Sequence, residues 1–127
     1  MTDMLETGAV FLAEQMELHC SREVTYARGV DAVALPATKG RSIFRYEDAN
    51  GVLQRIELAD FLLSPARLVL SGQDASPLPG DTILEVGTDA ARTYVVCAEA
   101  GEPCWRWSSL HRTRMRVHTK LQSEVAV

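Results

Sequence analysis

Over the first twenty residues the apolar positions fall at helical spacing. Leu5, Ala9, Leu12 and Met16 stand at i, i+4, i+7 and i+11, one stripe of a helix, with Glu6, Glu14 and Glu17 off it. Asp3 with Glu6 three residues on forms a capping box at its start. From Ser21 the period shortens to two. Residues 23–28 alternate, and Gly29 opens a turn before residues 32–36, where Pro36 marks an edge or a bend. Residues 41–47 and 52–58 are two more alternating runs around Asp48-Ala49-Asn50-Gly51, and Asn-Gly at that place predicts a long projecting hairpin. Residues 60–63 and 67–70 bracket Pro65 and read as short buried strands or one bent strand. Residues 76–81 supply a turn, residues 82–86 and 93–98 two further strands, and a last strand runs over about 112–121. Short strands divided by Gly, Pro and Asp turns predict a mainly β fold: a small antiparallel barrel or sandwich with one N-terminal helix.

Size leaves room for one core. The 127 residues predict a single domain, with a helix over 1–20, the barrel over 21–121 and a tail over 122–127. No apolar run reaches the roughly 18 residues that a membrane span needs. The acidic start, without Lys or Arg before Arg22, is unlike a secretory leader. Cys20, Cys97 and Cys104 are odd in number and lack a C-x-x-C pair, which predicts a reducing compartment. The formal charge of −4 is unevenly spread: residues 103–123 carry five cations and no acid, so that +5 here leaves −9 elsewhere. Segregated charge bears on partners rather than on fold.

The closing strand is where chemistry concentrates. Arg112, Arg114, Arg116, His118 and Lys120 alternate with Thr113, Met115, Val117, Thr119 and Leu121, which puts a basic face opposite an apolar one. Such a row suits an ordinary solvated face, the acidic surface of an adjoining subunit, or DNA phosphate as contacts without sequence information. The hairpin tip Glu47-Asp48-Ala49-Asn50-Gly51 is acidic and small: either a plain turn or a loop reaching into a channel or partner, and a poor grip on DNA. Cys97, Cys104 and His111 stand seven apart, wider than zinc ligand pairs, and Pro103 interrupts the run, so no metal is expected. His19-Cys20 lacks a group to orient a base. No hydrolase, zincin, P-loop or dinucleotide motif is present, so neither enzyme activity nor a cofactor is expected. Trp105 and Trp107 share parity around Arg106; the ordinary reading is core anchoring, the sharper one a stacking platform for single-stranded nucleic acid.

The order of these pieces carries a resemblance. An N-terminal helix, an Asn-Gly hairpin, Asp60-Phe61-Leu62-Leu63 and Leu68-Val69-Leu70 lead to Pro79-Gly80-Asp81-Thr82-Ile83. Trp105-Arg106-Trp107-Ser108 and the Arg-rich strand ending His118-Thr119-Lys120 close the chain. This resembles the head–tail joining proteins of tailed phages and prophages, also called head-completion or stopper proteins. The resemblance implies a compact β barrel whose copies form a ring, six- or twelve-fold, in the virion neck between portal or adaptor and tail, with some members retaining packaged DNA. It implies that residues 46–52, Tyr46 included, are the lumen-facing loop and that the strand over 112–120 lines a ring interface or the channel. The tip departs from the pattern in offering no bulky plug. Glu6, Glu14 and Glu17 on the helix and the cations of the last strand are candidate complementary halves of a head-to-tail contact. A tail-terminator or other tail-end ring protein, and a small nucleic-acid-binding barrel, are the alternatives; the net charge of −4 weighs against the latter.

Overall fold

A computed structural model describes residues 7–11, 21–108 and 110–126. Residues 7–11 are helical. The rest of the predicted helix, with the Asp3–Glu6 cap, Glu6, Glu14, Glu17 and the His19-Cys20 pair, lies outside the described residues.

Nine strands follow in chain order: β1 (Arg22–Arg28), β2 (Asp31–Glu47), β3 (Leu53–Leu63), β4 (Val69–Leu70), β5 (Gln73–Asp74), β6 (Thr82–Val86), β7 (Ala90–Val96), β8 (Trp105–Trp107) and β9 (Met115–Ala126). Every pairing is antiparallel, in the order β3-β2-β1-β6-β7-β9-β8. A further ladder from Ala59↔Thr119 to Leu63↔Met115 joins β3 to β9 and closes six strands into a barrel. Closure removes most of the unpaired edge that an open sheet would leave. The expected β barrel is present.

The interior follows from alternation. Val24 and Tyr26, Leu35 and Ala37, Phe61 and Leu63, Tyr94 and Val96, and Met115 and Val117 are all buried, each pair two residues apart on its strand. Phe61 and Tyr94 meet edge to face at 5.0 Å, and Trp105 and Trp107 meet the same way at 5.1 Å while packing on the core. The tryptophans therefore anchor the barrel rather than stand out as a platform.

Several boundaries differ from expectation: the runs over 52–58 and 60–63 form one strand, Leu53–Leu63, and the strand expected over 93–98 is Ala90–Val96. Residues 32–36 and 41–47 belong to one strand, because β2 runs through Pro36. That residue pairs only with Glu23 of β1, one position before β3 joins at Ala37, so its missing N–H breaks no bond on that side. Between β3 and β4 the chain turns through a 3₁₀ segment, Pro65–Arg67, rather than bending within a strand. The last strand starts at Met115 and runs to Ala126, so residues 122–126 are strand rather than tail; Ser123–Ala126 pair with Ala90–Thr93 of β7, and Gln122 is the extra residue of the bulge between Thr93 and Tyr94.

Candidate functional site

The feature that most departs from a plain barrel is the β2–β3 hairpin. The ladder to β1 ends at Ala37 and the ladder to β9 at Ala59, yet β2 and β3 continue side by side to Glu47↔Leu53. Six rungs, Ser42↔Leu58 to Glu47↔Leu53, thus form an arm about 20 Å long beyond the third strands. Its tip is shaped by Asp48. The Asp48 carboxylate accepts from the N–H of Asn50 (2.9 Å) and Val52 (3.0 Å) and from Gln54 Nε2 (3.0 Å), while Gly51 takes φ +78°. Hydrogen bonds from Val52, then Gln54, hold the Asp48 carboxyl below its usual range. Asp48 organises the turn; Glu47, Ala49, Asn50 and Gly51 are exposed, and Tyr46 is 38% exposed.

At the arm's root lies a buried polar cluster. Asp60 on β3 is fully buried; one carboxylate oxygen faces His118 Nδ1 on β9 at 2.8 Å. The other accepts from Arg116 Nη1 at 2.8 Å and from the Ser42 hydroxyl of β2. Burial alone would raise the Asp60 pKa, but the bonds from His118, Ser42 and Arg116 outweigh it and hold the carboxyl below its usual value. Phe44 of the arm packs edge-on against the His118 ring at 5.2 Å. Three strands are fastened at the point where the arm leaves the barrel. Ser, Asp and His are also the residue types of a hydrolytic triad, but here hydroxyl and imidazole both attach to the carboxylate, so the hydroxyl faces no base.

A second cluster fixes the Pro79-Gly80-Asp81 turn. Asp81 accepts from the Tyr26 hydroxyl, from Arg28 Nη2 (2.8 Å) and from the Leu78 N–H (3.0 Å). Burial opposes ionisation of Asp81, but the bonds from Arg28 and then Tyr26 keep its pKa low, and burial beside that carboxylate drives the Tyr26 pKa far up. On the inward side of β2, Lys39 Nζ reaches the Tyr94 hydroxyl at 2.6 Å and buried Glu85 at 3.3 Å.

The basic row of the closing strand makes most of its bonds within the chain. Arg114 is buried, donating to the Leu62 carbonyl (2.7 Å) and the Thr38 hydroxyl (2.9 Å), and Arg116 and His118 are held on Asp60. Arg112 precedes the strand at φ +54°. Only Arg112 and Lys120 of the five are exposed, and Lys120 pairs with Glu99 at 2.6 Å. The alternation is present, and four of the five basic side chains, those of Arg114, Arg116, His118 and Lys120, have partners within the chain. Cys104 is buried and donates to the Pro77 carbonyl. Among the described residues no cluster suited to a metal ion is found.

Sequence reasoning missed Ser42, Asp60, Tyr26 and Asp81, and it missed the arm's cations. Arg45 stands directly opposite Arg55 in the ladder, and Arg41 lies on the same face. Arg41 contacts Glu57 at 3.2 Å and Arg55 contacts the same acid at 3.8 Å. One acid therefore serves two cations, and like charges directly across a ladder are destabilising. The signal for Asp60 was an acid beginning an apolar run, which demands a buried partner. The arginine face becomes visible only once the register is known.

The family model described as phage head-tail joining protein matches residues 2–126. The chain belongs to the phage head–tail joining family. It is a structural head–tail connector of the virion, and its partners are head and tail proteins. In this joining protein the described residues form a closed barrel, and the β2–β3 arm extends past the ladders to β1 and β9. No curated protein matches the chain.

Proposed function

We propose that this joining protein forms a homo-oligomeric ring, of six or twelve copies, in the virion neck. The ring joins portal or adaptor to tail and helps hold packaged DNA, without catalysis, after assembly in the host cytoplasm. The supporting observation is the arm: a six-rung hairpin with a tied tip, bolted at its root by Asp60, His118, Arg116 and Ser42. A fastened arm holds its tip at a set distance from the barrel, as a lumen-facing element requires.

The arm also supplies a contact with DNA. Arg41, Arg45 and Arg55 share a face, and their crowding is relieved when a polyanion lies against them. Such contacts are sequence-independent and suit DNA of any sequence. The tip, with Glu47 and Asp48, stays clear of phosphate, and residues 46–52 form a lumen loop that narrows the channel rather than plugging it.

A nonsense mutation in the gene tests the reading. Tailless capsids that leak or lose DNA, and free tails beside them, are the expected particles. Normal tailed virions without the protein would overturn it.

A further inference from the structure

β3 and β9 are hydrogen-bonded to each other only over residues 59–63 and 115–119. Beyond that ladder each continues, β3 over 53–58 bound to β2 and β9 over 120–126 bound to β7. The edges that β3 and β9 turn toward each other have no strand partner among the described residues. They are similar in length, six and seven residues, and all seven side chains of the β9 extension are exposed. Apolar side chains stand along both: Leu53 is 77% exposed, Leu121 51% and Val125 65%. A two-stranded ribbon with a free edge is marginal in water and takes on further strands readily.

We infer that these two edges are the two halves of one subunit contact: the 53–58 edge of one copy pairs antiparallel with the 120–126 edge of the next. Charge order selects that sense. Antiparallel over six rungs, from Leu53 opposite Ala126 to Leu58 opposite Leu121, Arg55 stands opposite Glu124 and Glu57 lies diagonal to Lys120, unlike beside unlike. Parallel over six rungs, from Leu53 opposite Lys120 to Leu58 opposite Val125, Glu57 stands opposite Glu124 and Arg55 lies diagonal to Lys120, like beside like. The two edges are different surfaces of one chain, so the contact is heterologous and repeats from copy to copy until a ring closes. Main-chain bonds supply the contact and side-chain order its register. This inference rests on the ring reading and names the surface that builds it.

Cysteine cross-linking between mixed chains tests it. In a background with Cys20 and Cys97 changed to serine, E57C protein is mixed with K120C, L121C or Q122C protein under mild oxidation, and assembly is followed by light scattering. The expected result is a disulfide-linked dimer of unlike chains in at least one mixture, and, with both cysteines on one chain, a covalent ladder up to ring size. A fast-migrating monomer from the double variant, with no ladder, would mean that the edges close within one chain and would overturn the contact. Rings without any cross-link would overturn the contact while leaving the ring reading intact. No assembly by any variant or by the parent chain would overturn both.

Discussion

Replacing Asp60 with asparagine tests the fastening of the arm. The change keeps shape and removes charge. Asp60 is fully buried and accepts from His118 Nδ1 and Arg116 Nη1, each at 2.8 Å, and from Ser42. An asparagine accepts through one oxygen only, and its amide meets the other donors head-on. Hydrogen bonds to a charged group contribute about 1.5–3 kcal/mol each, and breaking a buried pair by removing one partner costs about 3–5 kcal/mol. We take about 3–5 kcal/mol as the loss. At roughly 3–5 °C per kcal/mol for a domain of this size, the thermal midpoint falls by about 9–25 °C. Circular dichroism melts at neutral pH measure it. The acid limb adds a signed check. The Asp60 carboxyl has a lower pKa folded than unfolded, so its stabilising contribution is complete above the unfolded value near ~3.9 and fades as pH falls through the folded value. D60N therefore loses less stability than the parent between about pH 4 and pH 2. A midpoint within about 3 °C of the parent, or an unchanged acid limb, would mean that the Asp60 charge does not fasten the arm.

Other consequences follow from single groups. Y26F deprives buried Asp81 of one donor while keeping the ring in the core, and a loss of about 1.5–3 kcal/mol in urea unfolding is expected. R45Q/R55Q removes the like-charge pair, so the free protein holds or gains a few tenths of a kcal/mol. The same variant loses non-specific DNA affinity, with the slope of log K against log salt smaller by up to about 2; an unchanged slope in a filter-binding series would remove the arm from DNA contact. G51A forces a side chain into φ +78° and costs about 1–2 kcal/mol in a thermal melt without altering the barrel.

Much of the barrel was legible in the sequence because its determinants are local. Period-two alternation with turn residues at Gly29, Asn50-Gly51 and Pro79-Gly80 sets strands and reversals, and the hairpin follows from Asn-Gly alone. The extent of β2 and β9 was not legible, since whether a strand continues depends on which neighbour it meets, as at Pro36 and beyond Leu121. The site was harder still. Alternation correctly put Arg114, Arg116 and His118 on one face, but whether that face meets solvent or Asp60, Thr38 and Leu62 is decided by strands more than fifty residues away. The pairing of Arg45 with Arg55 likewise exists only in the register.

On the function proposed above, copies of this barrel make the ring between head and tail. Cryo-electron microscopy of the neck in particles that carry the protein tests it most directly. The expected map shows a ring of barrels between portal and tail, with arms pointing to the axis and Arg41, Arg45 and Arg55 turned toward DNA. A neck built without these barrels, or barrels present as isolated copies with arms pointing outward, would contradict the account.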